Sequence, residues 1–199
     1  MDVIRQMVVL EIMLELLVTK KTCPRLLKLM SFHYSKPRGF VGRNICYAIF
    51  YDGIYYGHIV SGSPAKYLPG RRKFLGLTMK HGLDCVIDNV FFHIFRVDGK
   101  YPRRNFVSYV IKKWMKQTRL DWIKKYKTPV VGFETLVEMP RTGECYQRAG
   151  WKRVGKTKGY HLRRVSGKET SSWSGKRVWN FDREKRKYVF CYKIKRFPR

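Results

Sequence analysis

The chain has 199 residues, with 43 lysines and arginines against 14 aspartates and glutamates, for a formal net charge of +29. Hydrophobic residues make up 44% and aromatics 15%, enough to bury a core, so intrinsic disorder is excluded. One compact basic domain is expected, and its charge points to nucleic acid, a ribosomal or structural RNA-binding protein being the plainest form of that reading.

Five cysteines (Cys23, Cys46, Cys85, Cys145, Cys191) stand far apart without a Cys-x-x-Cys pair. That argues against a disulfide framework or a cysteine zinc site, and for a reducing cytoplasm. The longest apolar stretch, Val3 to Val18, is interrupted by Arg5, Gln6, Glu11 and Glu15. It is too broken to span a membrane, lacks a signal-peptide cleavage site, and reads as a mostly buried N-terminal helix.

Further along the chain, Pro24 and the run Ser35-Lys36-Pro37-Arg38-Gly39 punctuate the end of this helical region. Ile45 to Tyr51 and Ile54 to Val60 flank Asp52-Gly53, the pattern of a β-hairpin. Ser61 to Arg72, with two prolines and two glycines, reads as a loop, and Cys85 to Phe95 as a strand. A helix capped by Asn105 follows, its Val107, Val110, Ile111 and Trp114 at buried-face spacing, then a second short helix, Leu120 to Tyr126. Pro129 to Leu136 is a strand candidate, Gly143 to Ala149 a short helix stopped by Gly150, and Trp151 to Gly155 a strand. Arg177 to Phe181 and Lys187 to Ile194 read as a terminal hairpin. This order describes an α+β domain with a mixed sheet.

The densest text is Gly143-Glu144-Cys145-Tyr146-Gln147-Arg148-Ala149-Gly150-Trp151, running on to Gly155. Its Tyr-x-x-Ala-Gly-aromatic string resembles the last block of the GNAT N-acyltransferase fold, where a tyrosine often faces the transferred acyl group. Packing of Tyr146 in a helix-to-strand turn is the alternative. Phe32-His33-Tyr34-Ser35-Lys36, the Asp52-Gly53 hairpin, Pro102-Arg103-Arg104-Asn105-x-x-Ser108 and the Glu134 strand occur in an order that resembles the Mom family. These are divergent GNAT-like phage enzymes that modify adenine in DNA. The segment from Phe133 to Gly159 is also similar to a family of Druantia-type anti-phage systems. The resemblance spans roughly Ser31 to Gly159.

The resemblance implies a GNAT-like mixed central sheet flanked by helices, with residues 1–30 a helical extension, 31–160 the catalytic domain, and 161–199 a basic aromatic extension. It implies an acyltransferase-type enzyme that adds a carbamoylmethyl-type group to the adenine amino nitrogen, with Ser108, Glu134 and Tyr146 as catalytic candidates. A β-α-β crossover would bring Ser108 and Glu134 to one end of the sheet, where Glu134 could take a proton and Ser108 stabilise an oxyanion. Simple packing of Ser108 and an arginine partner for Glu134 are the alternatives. His33, Tyr34, Asn89, Arg104 and Asn105 are substrate-binding candidates; a stacked base would suit His33-Tyr34, and a structural hydrogen bond is the other reading of Asn89. The loop Pro102 to Asn105 lacks the glycines that bring GNAT backbone amides to the pyrophosphate of coenzyme A, which argues against acyl-CoA and leaves the donor unidentified. Iron is conceivable by the Mom resemblance, although the five histidines show no ligand spacing.

From Trp151 onward, 17 lysines and arginines stand against three acids, interleaved with Trp173, Trp179, Phe181, Tyr188, Phe190 and Tyr192. Cations interleaved with aromatics suit phosphate tracking and base stacking, and extrusion of a target base needs both. Arg71, Arg72, Lys156, Lys158, Arg163, Arg164, Lys176 and Arg177 are the DNA-binding candidates. Duplex DNA is the expected partner, no membrane is, and a homodimer stays open. A non-catalytic nucleic-acid-binding protein of a phage, mobile element or defence system, and an ordinary GNAT N-acetyltransferase, are the alternative functions. Hydrolase and nucleotide-phosphatase motifs are missing from the text.

Overall fold

Asp52 and Gly53 both adopt left-handed backbone angles (φ 52° and 71°), the geometry of a tight hairpin turn, and join β2 (Asn44–Tyr51) to β3 (Ile54–Gly62) as the Asp-Gly pair predicts. The computed structural model describes residues 14–35, 37, 39–77, 82–164, 177–182 and 185–194, with backbone alone at 160–164 and 177–180. Ahead of the hairpin lie β1 (Leu14–Thr19) and α1 (Pro24–Phe32). The expected N-terminal helix is corrected here. Leu14–Thr19 alternates buried and exposed residues and pairs with β2, while residues 3–13 lie outside the described residues.

After β3 come α2 (Arg71–Leu75), β4 (Val86–Ile94), α3 (Phe106–Tyr126), β5 (Gly132–Glu138), α4 (Glu144–Arg148) and β6 (Lys152–Lys156). β7 (Tyr160–Arg164), β8 (Arg177–Phe181) and β9 (Lys187–Lys193) complete the chain. The two helices expected between Asn105 and Tyr126 are one helix of 21 residues, because no glycine or proline interrupts it. The expected terminal hairpin does not form either. β8 pairs with β7 in a separate two-stranded sheet, while β9 enters the main sheet between β5 and β6.

The main sheet runs β1-β2-β3-β4-β5-β9-β6, antiparallel throughout except for the β4–β5 pair, which α3 connects as the expected β-α-β crossover. On the α3 face, Tyr47, Ile59, Ile87, Phe133, Phe190 and Trp151 meet Val110, Trp114 and Trp122 in the largest core. On the opposite face, α1 covers Cys46, Val60 and Phe91, and α2 covers Val86, Val189 and Cys191. The mixed sheet and flanking helices give the expected α+β fold.

Candidate functional site

β4 and β5 are hydrogen-bonded only from Val86–Gly132 to Asp88–Glu134. Beyond that point they part, and the sheet is forked. A bulge in β4 sits at the same level: Val60 opposes Phe91 and Ser61 opposes Asn89, which leaves Val90 as the extra residue. Asn89 secures the fork with its side chain, Nδ2 donating to the carbonyls of Val60 (3.2 Å) and Phe91 (3.1 Å). Thr135 Oγ1 donates to the Asn89 carbonyl from β5 (3.1 Å). The Tyr146 hydroxyl, carried in by α4, donates to Asn89 Oδ1 at 2.6 Å. Asn89 is therefore a structural bond and the anchor of Tyr146 at once. Burial holds the Tyr146 phenol well above its ordinary pKa, so it stays protonated.

The three catalytic candidates do not converge. Phe133 packs on Trp114 of α3, so the strand period turns its neighbour Glu134 to the other face. There both Glu134 oxygens are engaged: Oε1 accepts the Ala65 N–H and Oε2 the Arg71 guanidinium, each at 2.8 Å. Ser108 lies in the first turn of α3, buried on the opposite face, its hydroxyl donating to the Asn105 carbonyl at 2.9 Å. Glu134 is thus a partner of arginine, and Arg71, at 2% exposure, is no DNA-contacting cation.

Asp88, opposite Glu134 on β4, is a carboxylate that sequence reasoning passed over in favour of its neighbour Asn89. It is buried, and its Oδ1 has no hydrogen-bond partner. Burial first, and then the Glu134 charge, push its pKa well above the usual carboxylate range, with Arg71 opposing. Glu134 is raised as well, mainly by burial, although Arg71 and the Ala65 N–H hold it back. A carboxylate inside an apolar strand was the available signal for Asp88. Nothing in the text marks Arg71 as its neighbour.

At the forked end, the α1–α2 face opens into a cleft of about 1380 Å³ whose wall includes Lys66, Tyr67, Arg72, Lys156, Lys158 and Lys187. Arg72, Lys156 and Lys158 are sequence candidates that the fold brings together here; Lys66, Tyr67 and Lys187 were missed. Glu138 is an acidic lining residue, 3.6 Å from Lys187. The backbones of Arg163, Arg164 and Arg177 lie in the β7–β8 sheet. Their side chains, and Lys176 altogether, lie outside the described residues.

Tyr34 lines the same cleft, but its ring is taken as a stacking surface: Arg141 lies 3.7 Å from its centroid and His33 packs at 4.2 Å. His33 is buried, its Nδ1 2.8 Å from Ser35 Oγ. Burial, and then the nearby His93, lower its pKa to about 4, so it is neutral at physiological pH. Arg104 and Asn105 are exposed on the far side of the fork, where α3 begins. Asn105 makes no side-chain cap. Instead its Oδ1 accepts from Arg148 of α4 at 2.7 Å. Its φ of 57° is the left-handed conformation usually given to glycine, so the turn that appeared to lack a glycine is made by asparagine. At that turn the first N–H groups of α3 and the exposed Arg104 could hold a pyrophosphate, with Arg103 lying over the Tyr109 ring at 4.5 Å, so the missing glycine no longer argues against acyl-CoA. Iron gains no support, since among the described residues no three His, Cys, Asp or Glu side chains gather as a ligand set. No described helix is long and apolar enough to cross a membrane.

No protein-family model matches the chain, and no curated protein does. Solved structures do. A Bacillus subtilis acetyltransferase in complex with CoA superposes with a TM-score of 0.53 at 10% identity, over 92% of this chain and 99% of that one. A GNAT family acetyltransferase from Elizabethkingia anophelis with acetyl-CoA bound gives 0.51 at 9% identity, over 91% and 98%. The aminoglycoside 6'-N-acetyltransferase from Enterococcus faecium gives 0.50 at 8% identity, over 93% and 99%. At such identities the likeness speaks for architecture alone: the chain has the GNAT acetyltransferase fold.

Proposed function

We propose that this protein is a GNAT-type N-acyltransferase that moves an acyl group from coenzyme A to an amine of a nucleic-acid base. The adenine amino group is the acceptor that the Mom resemblance implies. The observation that carries this reading is the parting of β4 and β5 beyond Asp88–Glu134, with a lysine-walled cleft that Leu136 and Glu138 of β5 line past that point. Donor and acceptor would meet through the fork from opposite faces. Acyl-CoA supplies the activated thioester; exposed Arg103 and Arg104 and the free N–H groups of α3 would hold its phosphates. The acceptor amine attacks the thioester carbonyl, the new C–N bond forms, and the thiolate leaves. Tyr146, kept protonated by burial, donates its hydroxyl hydrogen to Asn89 Oδ1 and would exchange that bond to protonate the thiolate. Asp88, with its uncommitted oxygen, is the carboxylate at the fork that can take the amine proton. Cationic walls disfavour a polycationic acceptor and attract a polyanion, which supports nucleic acid over an aminoglycoside.

Mass spectrometry of nucleosides from DNA and RNA of cells expressing the protein tests this. An acylated adenine nucleoside is expected, reduced about 100-fold or more by Tyr146→Phe. Unmodified nucleic acid, together with acetyl transfer by the purified protein to free small amines, would overturn the acceptor assignment.

A further inference from the structure

Among the described aromatic side chains, Tyr67 is the most exposed, at 83%, and it stands on an unusually well-fastened loop. The loop joins β3 to α2. The buried Arg71–Glu134 pair holds its first half: Glu134 accepts the Ala65 N–H, while Arg71 donates to the carbonyls of Ala65 (2.5 Å) and Lys66 (3.1 Å). Close backbone contact with β6 holds its second half. A Cβ added at Gly70 would lie 2.2 Å from the Val154 carbonyl oxygen, so only glycine fits there. Residues 65, 66 and 70 are therefore fixed, and Tyr67 is presented between them.

Burying an ion pair so completely costs desolvation that ordinary packing would not incur, so a positioning role for it is the economical account. What it positions is an aromatic ring at the rim of a cationic cleft. Of the two tyrosines lining that cleft, Tyr34 is 40% exposed and has Arg141 and His33 packed on its ring, whereas Tyr67 has Lys66 Nζ at 5.6 Å from its centroid and 83% of its surface open. A ring on a preordered loop, flanked by lysines, is the arrangement that stacks a base while the cations hold its phosphates.

We propose that Tyr67 is a stacking platform for an unpaired nucleobase, so that the cleft takes single-stranded or extruded nucleotides in preference to closed duplex. This rests on the nucleic-acid reading above and adds the strand state of the acceptor. Arg71 and Glu134 are positioning residues for the platform.

The test is fluorescence anisotropy on the full-length protein with three labelled probes: a 12-nucleotide adenine-rich single strand, the same-length strand with abasic sites, and the corresponding closed duplex. The wild type should bind the base-containing strand about tenfold tighter than the abasic one, and tighter than the duplex. Tyr67→Ala should abolish the base-over-abasic preference and leave abasic binding and its salt dependence unchanged. Tyr67→Phe should retain the preference. Because Tyr67 is exposed, neither variant endangers folding. Glu134→Gln should shrink the same preference without altering abasic binding, which a merely structural role would not do. An unchanged preference in Tyr67→Ala overturns the platform while leaving the nucleic-acid reading intact. Equal loss in Tyr67→Phe overturns stacking in favour of a hydroxyl contact. Failure of every probe to bind at low salt removes the nucleic-acid reading itself.

Discussion

On the α3 face of the sheet, Trp114, Phe133 and Trp151 pack ring against ring at 5.4 to 6.4 Å; the Trp114 indole N–H finds Ser61 Oγ at 3.0 Å, while those of Trp122 and Trp151 are buried without a partner. On the α1–α2 face, the same strands carry Asp88, Glu134, His58 and His93, with Asp88 Oδ1 and His58 Nε2 left without partners. One face thus removes apolar surface from water, and the other buries charge and imidazole at a cost. The first stabilises the fold enough to carry the second, the usual division where a site needs perturbed groups on a rigid support.

Trp114→Ala attacks the stabilising face and should have the largest effect, lowering unfolding free energy by about 5 kcal/mol in denaturant titration. A loss below about 1 kcal/mol would mean that this core is not the principal support. Arg71→Met attacks the other face by stranding Glu134, and should cost about 3 kcal/mol. Adding Glu134→Gln should recover much of that, because the uncompensated charge is what destabilises. If the double variant is no more stable than the single, the pair acts by packing and the contrast between the faces weakens.

Asp88→Asn sharpens the comparison through its sign. Raised pKa in the folded state means that Asp88 contributes most below the pKa of an unfolded aspartate and costs stability as pH rises through its folded value. Its removal should therefore raise unfolding free energy at pH 7.5 by roughly 1 kcal/mol, with little change near pH 4. The histidines work in the opposite sense. Burial lowers His33 and His58 to about 4, so the unfolded chain binds protons first and stability falls as pH drops from about 6.5 towards 4. Melting temperatures across that range should fall more steeply in Asp88→Asn than in the wild type, since the opposing carboxylate is gone. Parallel profiles would refute the assignment of Asp88 as a strained group.

Lys158→Ala is the mildest variant. Exposed on the cleft wall, it should change stability by no more than about 0.5 kcal/mol. It should reduce the salt slope of nucleic-acid binding by about one unit, which salt-titrated affinity measurements would read.

Local chemistry determined a good deal of this molecule. Asp52-Gly53 specified its hairpin, the β-branched and aromatic run from Val86 its strand, and Gly143 and Gly150 the bounds of α4, because these depend on backbone preferences of a few neighbouring residues. Net charge, too, is legible without any coordinates. Tyr146 was found from a local string, and its place at the fork follows from the short helix that carries it. The tertiary structure alone decided that Leu14–Thr19 is an edge strand and that β9 lies between β5 and β6, since pairing is settled by partners distant in the chain. It also decided the fate of Glu134. A one-residue step along a strand reverses the face a side chain occupies, and Phe133, claimed by Trp114, sent Glu134 to an arginine 63 positions away. Reading residue types along a strand identifies what could react; only the packing of its neighbours determines which side of the sheet they react on.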